Sequence, residues 1–67
     1  MELSARNKLA GKVTEIKLGG IMAEVTLQVG RNQIVAVITK ASAERLGLKV
    51  GDRAFAIIKA TEVMIGK

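Results

Sequence analysis

The sequence predicts an all-β domain: a small five-stranded barrel of OB type with one short helix, assembled into an oligomer. Period-two alternation runs from Ile21 to Val29, glycine-bearing turns break the chain at short intervals, and the segments Ile34 to Ile38 and Ala54 to Ile58 are apolar on both faces. Alternation marks a strand with one face in a core, and closely spaced strands with little helical period favour a small barrel. The 67 residues fit a single domain over 1–67, with no internal repeat, linker or low-complexity tract.

Lys8 to Leu18 reads as the first strand, with a slip of phase between Val13 and Ile16 that a β-bulge explains. Gly19-Gly20 supplies a hairpin turn into the second strand, where Ile21, Ala23, Val25, Leu27 and Val29 share one face and Met22, Glu24, Thr26 and Gln28 the other. Gly30-Arg31-Asn32 makes the next turn, because Gly and Asn tolerate positive φ, and Gln33 to Thr39 is the third strand. Lys40 to Leu46 forms two turns of helix, with Thr39 as N-cap and Gly47 just past its end. Leu48 to Asp52 turns into a fourth strand, Arg53 to Ala60, and Val63-Met64-Ile65 adds a fifth after a kink at Thr61-Glu62.

A chain of about 60 residues hides only roughly 60% of its unfolded surface, so its core is thin. With no Cys, disulfides cannot reinforce it, and with no His either, a structural zinc finds no thiolate or imidazole. Association with copies of itself is the remaining support. Strands that are apolar on both sides need cover on both, which places the subunit contacts on the third and fourth strands.

The start Met1-Glu2-Leu3-Ser4 has neither the basic stretch nor the apolar run of a signal peptide, and the absence of Cys argues against a secreted disulfide scaffold. The apolar runs fall far short of the ~20 residues of a membrane helix. A cytoplasmic protein is expected. The net charge of +5 attracts anions of every kind, from nucleic acid to small inorganic oxyanions.

Chemistry narrows that choice. Ser4-Ala5-Arg6-Asn7, Thr39, Ser42 and Lys59 place hydroxyls and cations beside short strands in a chain without His, Cys or Tyr. Fixed O–H and N–H donors with one or two cations suit an oxyanion; acid–base, thiol or zinc chemistry would recruit imidazole or thiolate. Each residue also has a plainer role. Thr39 is a cap, Ser42 a surface residue, the segment from Ser4 to Asn7 a solvated terminus, and Lys59 a lysine whose stem leaves an apolar strand while its ammonium reaches water.

Three motifs in combination are more specific than any of these residues alone. Leu3-Ser4-Ala5-Arg6-Asn7, Val37-Ile38-Thr39-Lys40-Ala41-Ser42-Ala43-Glu44-Arg45-Leu46-Gly47 and Ile58-Lys59-Ala60-Thr61-Glu62-Val63-Met64-Ile65 together resemble the molbindin (Mop) family, small molybdate- and tungstate-binding proteins with a domain of TOBE/Mop type. The likeness covers nearly the whole chain in order and spacing. It implies a hexamer, a trimer of dimers, with molybdate or tungstate as bound ligand between subunits and no organic cofactor. By that resemblance, Ser4, Arg6 and Lys59, with the backbone around Ala5 and Ala60, form one wall of an interface site. Thr39 and Ser42 of a neighbour form the other, and Asn7 organises the start of the strand. Ala60 stands where many relatives carry Ser, so its contribution falls to the backbone N–H. A second class of site, near a threefold axis, would use backbone around Gly20, Ile21 and Met22.

The function implied is reversible oxyanion binding for intracellular storage, buffering or homeostasis, without covalent change. With nothing flanking the domain, a free-standing role is expected rather than a regulatory fragment. The alternative is an OB-type nucleic-acid module. Such modules stack bases on aromatic platforms worth about 1–3 kcal/mol per base, and this sequence offers only Phe55, in a strand that reads as buried. An enzyme is disfavoured, since general acid–base catalysis would have to be built from Lys and six isolated acidic residues.

Overall fold

A computed structural model describes residues 6–67. Four strands, β1 (Asn7–Leu18), β2 (Met22–Val29), β3 (Asn32–Thr39) and β4 (Arg53–Ile58), form one antiparallel sheet in the order β3-β2-β1-β4. A helix, α1 (Lys40–Leu46), joins β3 to the turn before β4, and a single 3₁₀ turn covers Ala60–Glu62.

The expected bulge is present: β1 pairs Val13 with Leu27 and then Glu15 with Thr26, leaving Thr14 as the extra residue. An extra residue bends a strand and sharpens its twist. Here the bend divides β1 into a first half paired with β4 through Asn7 to Lys12 and a second half paired with β2 from Lys12 to Leu18. At the bend, Val13 exchanges backbone hydrogen bonds with the turn before β4, donating to Asp52 O and accepting from Gly51 N, both at 2.8 Å. Gly51 sits at φ 99° and the Asp52 carboxylate accepts from Lys49 N at 2.9 Å, so this turn is held from both sides.

Both hairpins form. Gly30 takes φ 59° as first of the two residues between β2 and β3, where a primed turn needs positive φ. Gly19 N donates to Met22 O at 2.8 Å to close the turn between β1 and β2. Ile21 therefore belongs to the turn rather than to the strand, and it is exposed.

The core collects Val13, Val25, Leu27 and Ala56, with Ile16, Val29, Ile34, Ile38, Leu48 and Ala54 packed against them. Val25, Leu27 and Val29 are on the face that alternation assigns to β2, and Ile34, Ile38, Ala54 and Ala56 mark which face of β3 and β4, strands apolar on both sides, turns inward. The opposite faces of β3 and β4 are open: Val35 is 57% exposed, Val37 61% and Phe55 57%. Apolar residues on both faces are thus observed, and this chain alone covers one of them. Phe55 corrects the expectation of burial; its outward position pairs it with Ala10, between the Lys8–Ile57 and Lys12–Arg53 pairs.

Among the described residues the fifth strand does not form, and the sheet is not closed into a barrel. β4 ends at Ile58 rather than Ala60, the 3₁₀ turn follows, and Met64 and Ile65 are 92% and 91% exposed. Val63 has the extended dihedrals its β-branched side chain favours, φ −90° and ψ 127°. A strand also needs a neighbour to bond to, and no edge of this sheet pairs with residues 63–65. The sheet is left with two edges, β3 and β4.

Candidate oxyanion site

The residues singled out by the sequence fall into two groups. One lies where β3 passes into α1. Thr39 ends β3 with extended dihedrals and caps α1, its Oγ1 accepting from Ser42 N at 3.0 Å. The same Oγ1 donates to Ser42 Oγ at 2.8 Å, and Arg45 Nη2 donates to Ser42 Oγ at 3.2 Å. Gly47, at φ 63°, ends the helix and returns its N–H to Glu44 O. Helix, cap and hydroxyl pair are fixed by residues within one short segment.

Gly20, Ile21 and Met22 adjoin this group. Met22 pairs with Thr39 across β2 and β3, and Ile21 O accepts from Lys40 N at 2.7 Å. Gly20 has open space on its side-chain face, where an added Cβ would meet no atom within 4 Å. The weaker candidate set and the Thr39–Ser42 pair therefore share one end of the sheet.

The second group lies at the start of β1 and the end of β4. Asn7 pairs with Ile58 and its side-chain Nδ2 donates to Ile58 O at 3.1 Å. This is the organising role expected of Asn7. Arg6 and Lys59 each lie one residue beyond that clamped pair, and both are exposed. Lys59 O accepts from Glu62 N at 2.9 Å to close the 3₁₀ turn. Ala60, as the first residue of the turn, keeps a backbone N–H that the turn does not use. Ser4 and Ala5 lie outside the described residues.

The two groups are not brought together by one chain. Thr39 ends the edge strand β3, Lys59 follows the edge strand β4, and β2 and β1 lie between. Asn7 opens β1, whereas Thr39 is reached through Met22, next to the pair of Ala23 with Leu18 at the far end of β1. Each group offers donors from one side only, and a tetrahedral anion bound by both would need two surfaces facing each other.

Arg45 is the residue that sequence reasoning did not place in the set. Its distance of three positions from Ser42 in a helix was the available signal, since residues three apart share a helix face. Among the described residues no group of three or more His, Cys, Asp or Glu could hold a metal cation, and no helix is long and apolar enough to cross a membrane.

A bent, four-stranded antiparallel sheet with one capped helix, its edges furnished with hydroxyls, amides and cations, defines a small β domain equipped for polar recognition. Residues 3–65 match the TOBE domain, and the chain belongs to that family. It is 50% identical to molybdenum-pterin-binding protein 1 of Clostridium pasteurianum over 66 residues, which cover 97% of each chain. It is 48% identical to the molybdenum transport protein ModE of Azotobacter vinelandii over 97% of its own length, but spans only 24% of that relative. A solved molybdate-binding protein from Sporomusa ovata superposes with a TM-score of 0.95 at 40% identity, with both chains fully covered. The resemblance carried by the three sequence motifs is thereby shown.

Proposed function

We propose that this protein binds molybdate, and tungstate as its near-isostere, reversibly and without covalent change, for storage or buffering in the cytoplasm. The observation that carries the reading is the split donor set. Arg6, Lys59 and the Ala60 N–H lie just beyond the paired ends of β1 and β4, Thr39 and Ser42 at the end of the opposite edge strand β3, within a family whose relatives bear molybdenum-pterin-binding and molybdate-binding names. Two copies placed edge to edge would turn these half-sites into one pocket, with Ser4 and Ala5 completing the cationic wall. The exposed apolar faces of β3 and β4 supply a reason to associate, and a hexamer arranged as a trimer of dimers agrees with the resemblance. Gly20, Ile21 and Met22 would serve a second class of site through their backbone.

In such a pocket two cations offset the dianion's charge while hydroxyls and amides fix its oxygens. No step needs a general base or a nucleophile, so the role is that of a binder rather than an enzyme, with the oxyanion as cargo and no organic cofactor. Calorimetric titration with molybdate, tungstate and sulfate, on protein whose mass is measured by light scattering in the same buffer, tests this. Saturable heat with molybdate on an oligomer is expected. Absence of heat with both metal oxyanions overturns the reading.

A further inference from the structure

We propose that Lys8 is a third cation of the oxyanion pocket, standing behind Arg6 and Lys59, and that it adds affinity for a dianion through its charge rather than through a fixed contact. The inference rests on the oxyanion reading above and names a residue that the three sequence motifs leave out.

The net charge is not spread over the chain. Residues 6–12 and 53–59, which are the first half of β1 and all of β4 with one flanking residue each, hold Arg6, Lys8, Lys12, Arg53 and Lys59 and no acidic residue. Those five cations equal the net charge of +5, and the six cations elsewhere are matched by the six acids. Asp52 and Glu62, the nearest acids along the chain, stand in the turns before and after β4, Asp52 with its carboxylate on Lys49 N. Strand pairing sets the cations on one face. Lys8 lies opposite Ile57, Ala10 opposite Phe55 and Lys12 opposite Arg53, all six exposed, while Ala54, Ala56 and Ile58 turn the other way.

Lys59 keeps extended dihedrals, φ −66° and ψ 141°, so the alternation of β4 carries through it and it shares the face of Ile57. Lys8 and Lys59 are then diagonal neighbours across the two strands, about 7–8 Å apart. Lys8 is two residues, about 7 Å, from Arg6, whereas Lys12 is six residues, about 20 Å, from it. Like charges opposite one another on a sheet cost stability, and a dianion seated between Arg6 and Lys59 offsets that repulsion at the Lys8 end. In water, one cation about 7 Å from a dianion raises its affinity about threefold at ~0.15 M salt and about fivefold at ~0.01 M. At about 20 Å the same charge does nothing at the higher salt and gives less than about twofold at the lower. Distance therefore separates Lys8 from Lys12 and Arg53, which share its face.

The test is calorimetric titration with molybdate at ~0.15 M and ~0.01 M salt on the unsubstituted chain, Lys8→Gln, Lys8→Arg, Lys12→Gln and Arg53→Gln, with mass and urea midpoint followed on each. Lys8→Gln is expected to lose about threefold in affinity at the higher salt and about fivefold at the lower. Its urea midpoint without ligand should be unchanged or raised, since a repulsion is gone. Lys8→Arg should bind as the unsubstituted chain does, and Lys12→Gln and Arg53→Gln should match it at the higher salt. An undiminished Lys8→Gln, a loss of affinity that comes with a lowered urea midpoint, or equal losses in all three glutamine variants overturns the inference while leaving molybdate binding in place. Retention of oligothymidylate at the higher salt that Lys12→Gln or Arg53→Gln abolishes would assign the face to a polyanion and overturn it as well. Failure of the unsubstituted chain to take up molybdate overturns the binding reading, and this inference with it.

Discussion

At the scale of single residues, the two groups of candidate site residues make separable predictions. Arg6 and Lys59 are exposed and sit just beyond the clamped Asn7–Ile58 pair. Their removal should therefore cost charge in the proposed pocket and little in the fold. Arg6→Ala or Lys59→Ala is expected to weaken molybdate uptake about tenfold or more, the scale of a hydrogen bond to a charged group, with oligomer mass unchanged by light scattering. Undiminished uptake would take those residues out of the site. Thr39 is different because it holds the helix as well as a hydroxyl network. Thr39→Ala should lower stability by about 1 kcal/mol in urea titration at fixed protein concentration, the usual worth of an N-cap, and Thr39→Ser should recover most of it. The cap was legible in the sequence because capping is local. Arg45 on Ser42 was not read, since a long side chain at a permissive spacing can as easily reach water.

At the scale of elements, what could be read from the sequence was what depends on neighbours in the chain. The bulge after Val13, the turns at Gly19-Gly20 and Gly30, and the span of α1 each follow from a phase slip, a glycine or a cap, and each is where the residues indicate. The fifth strand failed for the complementary reason: Val63 is extended, but pairing depends on an edge that the described residues do not bring to it. Phe55 was misjudged because an apolar residue in a strand apolar on both faces carries no sign of which face is covered. Two glycines in and beside β1 give opposed predictions. A Cβ at Gly11 would sit 2.7 Å from Gln28 O and 2.8 Å from Val29 Cγ2, so Gly11→Ala must push β1 and β2 apart. A loss of about 1–3 kcal/mol is expected, as for overpacking elsewhere. Gly20→Ala meets nothing within 4 Å, and Gly20 does not have positive φ. It should be neutral or stabilising by up to about 1 kcal/mol through the unfolded chain. Urea midpoints of the two variants, compared at one protein concentration, check the contrast.

At the scale of the whole molecule, the chain has a thin core, two open sheet edges, outward-facing Val35, Val37 and Phe55, and a candidate site divided between its edges. All of these would be relieved by one event, the docking of further copies, and a common cause ties stability to binding. If the folded state is an assembly, the urea midpoint must rise with protein concentration, because association withdraws folded chains from the unfolding equilibrium. Val37→Lys separates this from an ordinary loss of stability. Val37 lies opposite Glu24 on β2, so a lysine there gains an opposite-charge cross-strand partner, and the single chain should keep its fold. In an assembled β3 face the same lysine would be a charge buried at an apolar contact. The expected result is a folded species of lower mass that takes up molybdate poorly. A Val37→Lys protein that dissociates yet binds molybdate as the parent does would mean that each chain carries a complete site, and the division of donors between β3 and β4 would then have no bearing on binding.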